Sequence, residues 1–459
     1  MQPDKYVPPG SKIDTHDIVN WLLTHNSCMV NNGHLYVDNG EERYYRLLAR
    51  GDIPPWILSQ MDSSADIPPS FITDAIKRIL WHPGIRVNYS EVLKQAQFLL
   101  NVRNGVYNIE DGSFASGEAA KKLAKDSYFT YCLQFSYIEN ASLDNAPVFR
   151  QFLETSLEAD EVPDKQTLLL EIIGICISSV QIARKFYFFV GATKSGKSVI
   201  ADLLQEIIAP PVAVTTFGLN QLSGRFNVQH LEYSRLNLCR ELTAGKVTGT
   251  DTLKMLVSDE PLFVEGKGKE GYVAHIHTKL LTCANQMPNF GEMDAAGNKS
   301  MTDRMVVLRF NRTISEEQMD RHLLDKLLDE RDIIFSMAVD ALKALHDRDY
   351  IFTVPADTKE LMESYLQESR SLEMFLEERC ELTGKVHLST FISAYKEFCA
   401  ENALSPYKNK QISAYIANCY PAVRKEKFRL NGKNLWGWNG ISIKREETGT
   451  DIKEENNEI

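Results

Sequence analysis

The 459-residue sequence lacks the features of secreted, zinc-stabilised and membrane-spanning chains. It contains no run of 18 apolar residues, because its most apolar stretch, residues 167–180, includes Glu171 and two serines. The first ten residues have no apolar core of a signal peptide. The eight cysteines are scattered singly, without a CxxC pair or a Cys/His cluster at zinc spacing. We therefore expect reduced thiols, a cytoplasmic location and no membrane partner.

Basic residues are fewer than acidic residues: the chain has 51 Lys and Arg residues and 62 Asp and Glu residues, for a net charge of −11. This balance excludes a uniformly cationic protein, but a local basic surface can still bind nucleic acid. Such a surface is encoded between residues 405 and 445, where nine basic residues are accompanied by Glu426 alone. The residues that we expect to contact DNA in this segment are Lys408, Lys410, Arg424, Lys425, Lys427 and Arg429.

The hydrophobic pattern predicts an α/β protein. Residues 186–190 have the sequence FYFFV, which indicates a strand buried on both faces. Further strand candidates at 235–239, 279–283 and 305–310 are too far apart for hairpins and favour crossovers in a mainly parallel sheet. Residues 315–345 have helical periodicity. We divide the chain into segments 1–95, 96–183, 184–314, 315–370, 371–445 and 446–459, the last a polar, acidic tail that we expect to be disordered.

Turn signals predict hairpins outside this sheet. Residues 31–33 (NNG) turn a small β element in the mostly helical N-terminal segment. Asn104-Gly105 and Asp111-Gly112 mark a second hairpin region. After residue 371 the pattern predicts three helices followed by a hairpin turned by Asn431-Gly432, which is the outline of a winged helix.

The clearest motif is GATKSGKS at residues 191–198, which follows the FYFFV strand, precedes a predicted helix and matches G-x-x-x-x-G-K-[ST]. Glycines let the backbone turn so that successive N–H groups point at phosphate oxygens, and the N-terminus of the next helix adds positive potential. Lys197 is expected to reach the β- and γ-phosphates of ATP, and the Ser198 hydroxyl to ligate Mg²⁺. The residues expected to bind the nucleotide are Gly191, Ala192, Thr193, Lys194, Ser195, Gly196, Lys197 and Ser198.

Three polar residues next to the other predicted strands are candidates for catalysis. Glu241 can ligate Mg²⁺ and polarise the attacking water, or it can be a solvated glutamate at a strand end. Asn285 can orient that water or sense the γ-phosphate, or it can simply open the turn before Pro288. Arg304 can reach the nucleotide of an adjacent subunit as an arginine finger, or it can pair with Asp303 within the chain.

This set of motifs resembles the superfamily III helicases, whose core carries Walker A, Walker B and B′ motifs and a Walker C strand ending in Asn. Within that superfamily the sequence is most similar to the phage and plasmid primase-helicases related to the poxvirus primase-helicase. Residues 101–112 (NVRNGVYNIEDG) resemble a stretch of the domain before the helicase, residues 253–288 the B′-to-Walker C segment, and residues 371–445 the winged helix. The resemblance covers residues 95–445.

The resemblance implies an AAA+-like P-loop ATPase core at 184–314 that forms a hexameric ring on single-stranded DNA. Such a protein is an ATP-dependent helicase in the replication of a mobile genetic element, such as a phage, plasmid or genomic island. In the ring Glu241 would activate water, Asn285 would act as a sensor and Arg304 would act in trans. Lys267 and Lys269 would form the tip of a pore hairpin that contacts the DNA backbone, unless this tip is a solvated loop.

The sequence also departs from the family pattern. Arg240 precedes the single acid Glu241, where many superfamily III strands end in two acids. Residues 1–95 contain no paired acids suited to two-metal polymerase chemistry, so we predict no priming activity. This segment would be an adaptor or loading region, with a separate primase or other replication protein as a candidate partner. Two other functions remain open: a DNA-binding P-loop ATPase that regulates without unwinding, and a small-molecule kinase, which would leave the basic C-terminal segment without a role.

Overall fold

Two units make up the chain, the first formed by Met1–Pro288 with Arg304–Thr358 and the second by Asn289–Asp303 with Lys359–Ile459. Among the described residues, no helix has both the length and the apolarity needed to cross a bilayer. The computed structural model describes residues 5–6, 14–40, 42–62, 67–158, 162–181, 183–242, 247–266, 271–290, 295–402, 404, 406–430 and 432–444.

The N-terminal part of the first unit packs helices against a small antiparallel sheet. Its elements are α1 (Thr15–His25), β1 (Cys28–Asn31), β2 (His34–Asp38), β3 (Tyr45–Leu47), α2 (Ile53–Ser59), α3 (Pro69–Trp81) and α4 (Tyr89–Ala96). The predicted hairpin is confirmed, because Asn31 pairs with His34 across the turn. The turn residues Asn32 and Gly33 have φ angles of 47° and 72°, as a type I′ turn requires.

The next part carries a second hairpin followed by helices. Its elements are β4 (Leu99–Val102), β5 (Gly105–Asn108), β6 (Phe114–Ala115), α5 (Gly117–Asp126), β7 (Cys132–Leu133), α6 (Pro147–Leu157) and α7 (Asp164–Ile177). The first tight turn falls at Arg103-Asn104, one residue before the predicted position, because Gly105 already pairs with Val102. Phe152 of α6 and Ile173 of α7 belong to the same apolar cluster as the strands that follow.

The centre of the first unit is a parallel sheet, called here the core sheet. Its strands lie side by side in the order β10 (Val214–Thr215), β11 (Leu236–Cys239), β14 (Lys279–Ala284), β8 (Phe186–Gly191) and β15 (Met305–Phe310). The four strands predicted for it are confirmed. Tyr187, Phe188 and Phe189 are at most 1% exposed, as expected for a strand covered on both faces. The elements of this part, in chain order and including α11 of the second unit, are β8 (Phe186–Gly191), α8 (Lys197–Ile207), β9 (Ile208–Ala209), β10 (Val214–Thr215), α9 (Val228–Leu231), β11 (Leu236–Cys239), α10 (Thr250–Val257), β12 (Leu262–Val264), β13 (Tyr272–Ala274), β14 (Lys279–Ala284), α11 (Ala295–Thr302), β15 (Met305–Phe310), α12 (Leu323–Asp329), α13 (Arg331–Asp347) and α14 (Ala356–Ser369).

The helical pattern predicted for residues 315–345 is wrong at its start. Residues 316–318 and 321–322 form turns, and α12 begins only at Leu323. The Asp320 carboxylate accepts hydrogen bonds from the His322 amide at 2.9 Å and the Lys326 ammonium at 2.6 Å. Such local bonds offer the backbone an alternative to the helix.

The second unit contains the three predicted helices and the predicted hairpin. In the hairpin, Leu430 pairs with Lys433 across the two turn residues. The helices pack on a core that includes Phe375, Phe391 and Trp438. Residues 446–459, expected to be a disordered tail, lie outside the described residues. The elements after α14 are α15 (Ser371–Arg379), β16 (Cys380–Glu381), β17 (Lys385–His387), α16 (Leu388–Glu401), α17 (Asn409–Cys419), β18 (Arg424–Leu430), β19 (Lys433–Asn439) and β20 (Ser442–Ile443).

Candidate functional site

The GATKSGKS motif forms the connection from β8 to α8 at the carboxyl edge of the core sheet. Lys194 and Gly196 adopt left-handed conformations, with φ angles of 62° and 93°. A Cβ on Gly196 would lie 2.9 Å from the Phe152 ring. Gly191 has a different role from the one predicted, because it is the last residue of β8 and a Cβ there would overlap the carbonyl oxygen of Phe310. The first glycine therefore lets two strands approach, and the second allows the turn into the helix.

Lys197 is nearly buried at the base of this loop, with 7% of its surface exposed. Its Nζ donates hydrogen bonds to the carbonyl oxygens of Gly191 and Ala192, both at 2.6 Å, and to Oγ of Ser195 at 2.9 Å. Burial lowers the pKa of Lys197, while the neighbouring Cys283 acts in the opposite direction. The loop thus holds an ammonium group through three oxygen acceptors.

A cleft of about 1040 Å³ opens beside the loop and brings together most of the residues predicted to bind the nucleotide or to take part in catalysis. Glu241 and Asn285 line it, and both are exposed. Of the eight motif residues, Gly191 and Ala192 do not line the cleft, whereas the other six do: Thr193, Lys194, Ser195, Gly196, Lys197 and Ser198.

The parallel register explains why residues so distant in sequence share this cleft. Cys239 of β11 pairs with Thr282 of β14, so both strands end at the edge where β8 enters the loop. The amide of Leu242 donates to the carbonyl of Cys283 at 3.1 Å, which holds the segment after β11 beside β14. Glu241 and Asn285 are therefore neighbours because each follows a strand of the same parallel sheet.

Arg240, the residue before Glu241, interacts with α8. It forms an ion pair with Asp202 and donates to Oε1 of Gln205 at 2.7 Å. Arg240 therefore connects the end of β11 to α8, the helix that begins within the GATKSGKS motif.

One wall of the cleft was not predicted from the sequence, and it is formed by the segment after β15. Arg312, Thr313 and Ile314 line the cleft, and the Ile314 amide donates to the Lys194 carbonyl at 2.9 Å. Nε of Arg312 donates to Oε1 of Glu158 at 3.0 Å, and this guanidinium lowers the pKa of the Glu158 carboxyl. A signal was present, because Arg312 follows its strand closely, as Glu241 follows β11.

Arg304 lies at the opposite, amino edge of the core sheet. Its carbonyl accepts a hydrogen bond from the Phe186 amide at 2.9 Å, and the next residue, Met305, pairs with Phe186. The six residues of β15 span about 20 Å at the usual rise of a strand, and Arg304 does not line the cleft. The structure therefore does not bring Arg304 to the cleft of its own chain.

The predicted DNA contacts divide between the two units. Lys267 and Lys269 lie outside the described residues, on the connection between β12 and β13, where Val264 pairs with Tyr272. The structure does not describe the Lys410 side chain either. The others are exposed in the second unit: Lys408, Arg424, Lys425, Lys427 and Arg429. Within the described ranges, no group of three or more His, Cys, Asp or Glu side chains is arranged to hold a metal ion.

Two family models match the chain. Residues 65–158 match the family described as D5 N terminal like, and residues 189–304 match a family of unknown function, DUF5906. The chain is similar to D5-like proteins. The second match contains the whole GATKSGKS motif, together with Glu241, Asn285 and Arg304.

Two viral proteins are related to parts of the chain. Uncoating factor OPG117 of variola virus is 25% identical over 255 residues, which are 50% of this chain and 31% of that protein. A protein of Acanthamoeba polyphaga mimivirus designated a candidate helicase, L207/L206, is 25% identical over 124 residues, or 26% of this chain and 12% of that protein. The chain thus spans about a third of the first relative and about an eighth of the second. Together with the D5 match, they support the resemblance to the poxvirus-related family.

The fold is similar to that of a solved structure. The apo structure of the NrS-1 C terminal region covers 94% of this chain and 100% of its own length, with a TM-score of 0.50 and 12% identity. At that identity the likeness concerns the fold alone, and it agrees with the mixed α/β class predicted from the sequence.

Proposed function

We propose that this chain is an ATP-dependent DNA helicase that serves the replication of a mobile genetic element, such as a phage, plasmid or genomic island. The observation that carries the proposal is the single cleft lined by Lys197, Glu241 and Asn285 at the carboxyl edge of a parallel sheet. The mimivirus relative's designation as a helicase and the poxvirus relative support the same family of activities.

The cleft residues fit a nucleoside triphosphate with magnesium. Amides of the loop and of the first turn of α8 would bind the phosphates, as helix N-termini do. Lys197 would exchange the carbonyls of Gly191 and Ala192 for phosphate oxygens, because these bonds involve the same donor hydrogens. Ser198 and Glu241 would hold Mg²⁺, which when bound neutralises the charge that develops on the transferred phosphoryl group.

The same residues can assist hydrolysis. Glu241 would accept the proton of the attacking water, and Asn285 would orient that water. Arg312, held in place by Glu158, would add a second cation to the cleft. Arg304 would complete the site from a neighbouring protomer, which requires a ring-shaped oligomer, in our proposal a hexamer on single-stranded DNA.

The remaining elements would convert hydrolysis into movement on DNA. We propose that the core sheet is an AAA+-like ATPase core and that residues 371–445 form a winged helix. Lys267 and Lys269 would contact single-stranded DNA, because lysines bind phosphates without sequence preference. Lys408 of the segment before α17 and the basic residues of β18 would contact the phosphates of DNA.

The decisive experiment measures ATP turnover and strand displacement by the full chain, with and without single-stranded DNA. A helicase should show DNA-stimulated turnover and displacement, and the Lys197→Ala variant should show neither. Absence of DNA-stimulated turnover in an assembled sample would contradict the proposal.

Replacing both Lys267 and Lys269 by alanine tests the alternative of a non-unwinding regulator, since a helicase should lose strand displacement but keep ATP binding. Nucleotide-dependent DNA binding without displacement by the unmodified chain would favour the regulator.

A further inference from the structure

The hairpin of the second unit contains two tryptophans with opposite environments. Trp438 is 2% exposed and belongs to the apolar core of the unit, whereas Trp436 is 51% exposed. Residues two apart on a strand lie on the same face, so the two rings share one face of the hairpin. Trp438 accounts for the packing of this face, and half of the Trp436 surface is left to the solvent.

Positive charge surrounds the exposed ring. Lys427 pairs directly with Trp436 and Arg429 with Asn434, which places both basic residues on the Trp436 face. Nζ of Lys427 lies 5.5 Å from the centre of the Trp436 ring. Lys425, opposite Trp438, extends the same row. We call Lys425, Lys427, Arg429 and Trp436 the Trp436 face.

The acid of this segment is kept away from the Trp436 face. Glu426 pairs with Gly437, so it belongs to the other face of the hairpin. There its Oε1 accepts hydrogen bonds from Asn439 at 2.8 Å and Lys385 at 3.4 Å. The Trp436 face therefore presents three cations and one aromatic ring, without an acidic side chain among the residues that form it.

This combination distinguishes between forms of DNA. Lysine and arginine bind the phosphates of single strands and duplexes alike. An aromatic ring gains from stacking only on a base whose own face is free, and this contribution is typical of proteins that bind single strands. We infer that the Trp436 face binds single-stranded DNA, with Trp436 stacked on an unpaired base. The inference rests on the proposed function in taking DNA as the polymer, and it goes further in assigning the hairpin to the unpaired strand.

The test compares Trp436→Ala with Trp81→Ala in the full chain. Trp81 is a matched control, because it is 72% exposed and lies in α3 of the first unit. Both changes are made in a chain that already carries Lys267→Ala and Lys269→Ala, so that the proposed pore contact does not dominate. Binding of a labelled thymidine oligonucleotide and of a blunt duplex is measured by fluorescence anisotropy without nucleotide.

We expect Trp436→Ala to weaken single-strand binding about tenfold while duplex binding is unchanged. Trp436→Phe should retain part of the affinity, and Trp81→Ala should change neither ligand. Equal losses for both ligands, or no loss for the oligonucleotide, would overturn the inference. Because the assay uses no ATP, a selective loss of single-strand binding would support the inference even if the chain failed to unwind DNA. If the chain unwinds DNA but shows no selective loss, the inference about the Trp436 face is rejected while the proposed function stands.

Discussion

The two edges of the core sheet carry similar residues in opposite surroundings. The strand β14 begins with Lys279, which is 4% exposed, and ends one residue before the exposed Asn285. At the carboxyl edge the connecting segments leave a cleft. At the amino edge Arg235 is covered, with its guanidinium 3.3 Å from the centre of the Tyr131 ring and a hydrogen bond to Oγ of Ser179 at 3.1 Å. Parallel strands deliver polar groups to both edges, and the segments packed against each edge decide which one can bind a ligand.

Electrostatics differ between the edges for the same reason. Burial and the neighbouring Arg235 lower the pKa of Lys279 to about 7, and burial lowers the pKa of His277 as well. Lys197 at the other edge also has a lowered pKa, but three oxygen acceptors hold its ammonium group. Of these two lysines, only Lys197 at the carboxyl edge is therefore a candidate for binding the phosphates of a nucleotide in the cleft.

The largest expected effect concerns Arg304, the amino-edge residue assigned to a neighbour's cleft. Arg304→Ala should reduce ATP turnover of the assembled protein about 10³-fold, because an arginine finger usually contributes at least that factor to the rate of hydrolysis. Mixing Arg304→Ala with Lys197→Ala should restore part of the turnover, because each supplies what the other lacks. No recovery on mixing, or full turnover by Arg304→Ala, would remove the trans role.

The carboxyl edge is tested by Glu241→Gln. We expect turnover to fall about 10²-fold because the general base is lost, while ATP binding persists. Turnover and nucleotide binding are measured on the same sample. Glu206→Gln on α8 is the control, since Glu206 is exposed and outside the lining of the cleft. Equal effects of the two substitutions would leave Glu241 as a solvated strand-end residue.

The amino edge is tested by Lys279→Met, through the free energy of unfolding. The unfolded chain keeps the lysine proton up to pH ~10, whereas the folded chain releases it above about 7, so burial of the charge costs most below pH 7 and this cost disappears as the pH rises. Cys176 and Asp259 raise the pKa of Lys279, but they offset only part of the lowering by burial and Arg235. The variant should be more stable than the unmodified chain by several kcal/mol at pH 6.5, and progressively less so up to pH 10.

Urea unfolding at several pH values measures this gain. Lys122→Met on α5 provides the control, because Lys122 is exposed and should show no pH-dependent gain. A Lys279→Met chain that is less stable at every pH would show that its ammonium group is stabilised in the fold, contrary to this comparison.

The smallest effect is expected for the Arg240–Asp202 ion pair. Both side chains are more than a third exposed, at 37% and 38%, so water screens the interaction. Asp202→Asn should lower the free energy of unfolding by less than about 1 kcal/mol. If Asp202→Asn lowers the free energy of unfolding by several kcal/mol in the same urea experiment, the carboxyl edge is as closely packed as the amino edge.

Some of the candidate site followed from local sequence and one general rule. The FYFFV strand, the phosphate-binding motif and the residues after β11 and β14 were placed by pattern alone, because parallel strands end at a common edge. Arg312 was missed, although it also follows a strand of the core sheet, because its carboxylate partner Glu158 lies 154 residues away in the sequence. The different exposures of Trp436 and Trp438 were also invisible, because alternation puts both on one face and only the core of the second unit separates them.

By itself, the sequence determined which residues form the strands of the core sheet, which loop carries the GATKSGKS motif and where basic residues concentrate. These properties depend on neighbours along the chain, where hydrophobic period and turn chemistry act. Only the tertiary structure decided that one edge of the core sheet is an open cleft and the other a buried cluster of cations. That outcome depends on segments far away in sequence, such as Tyr131 over Arg235, and burial then sets which charges are available to a ligand.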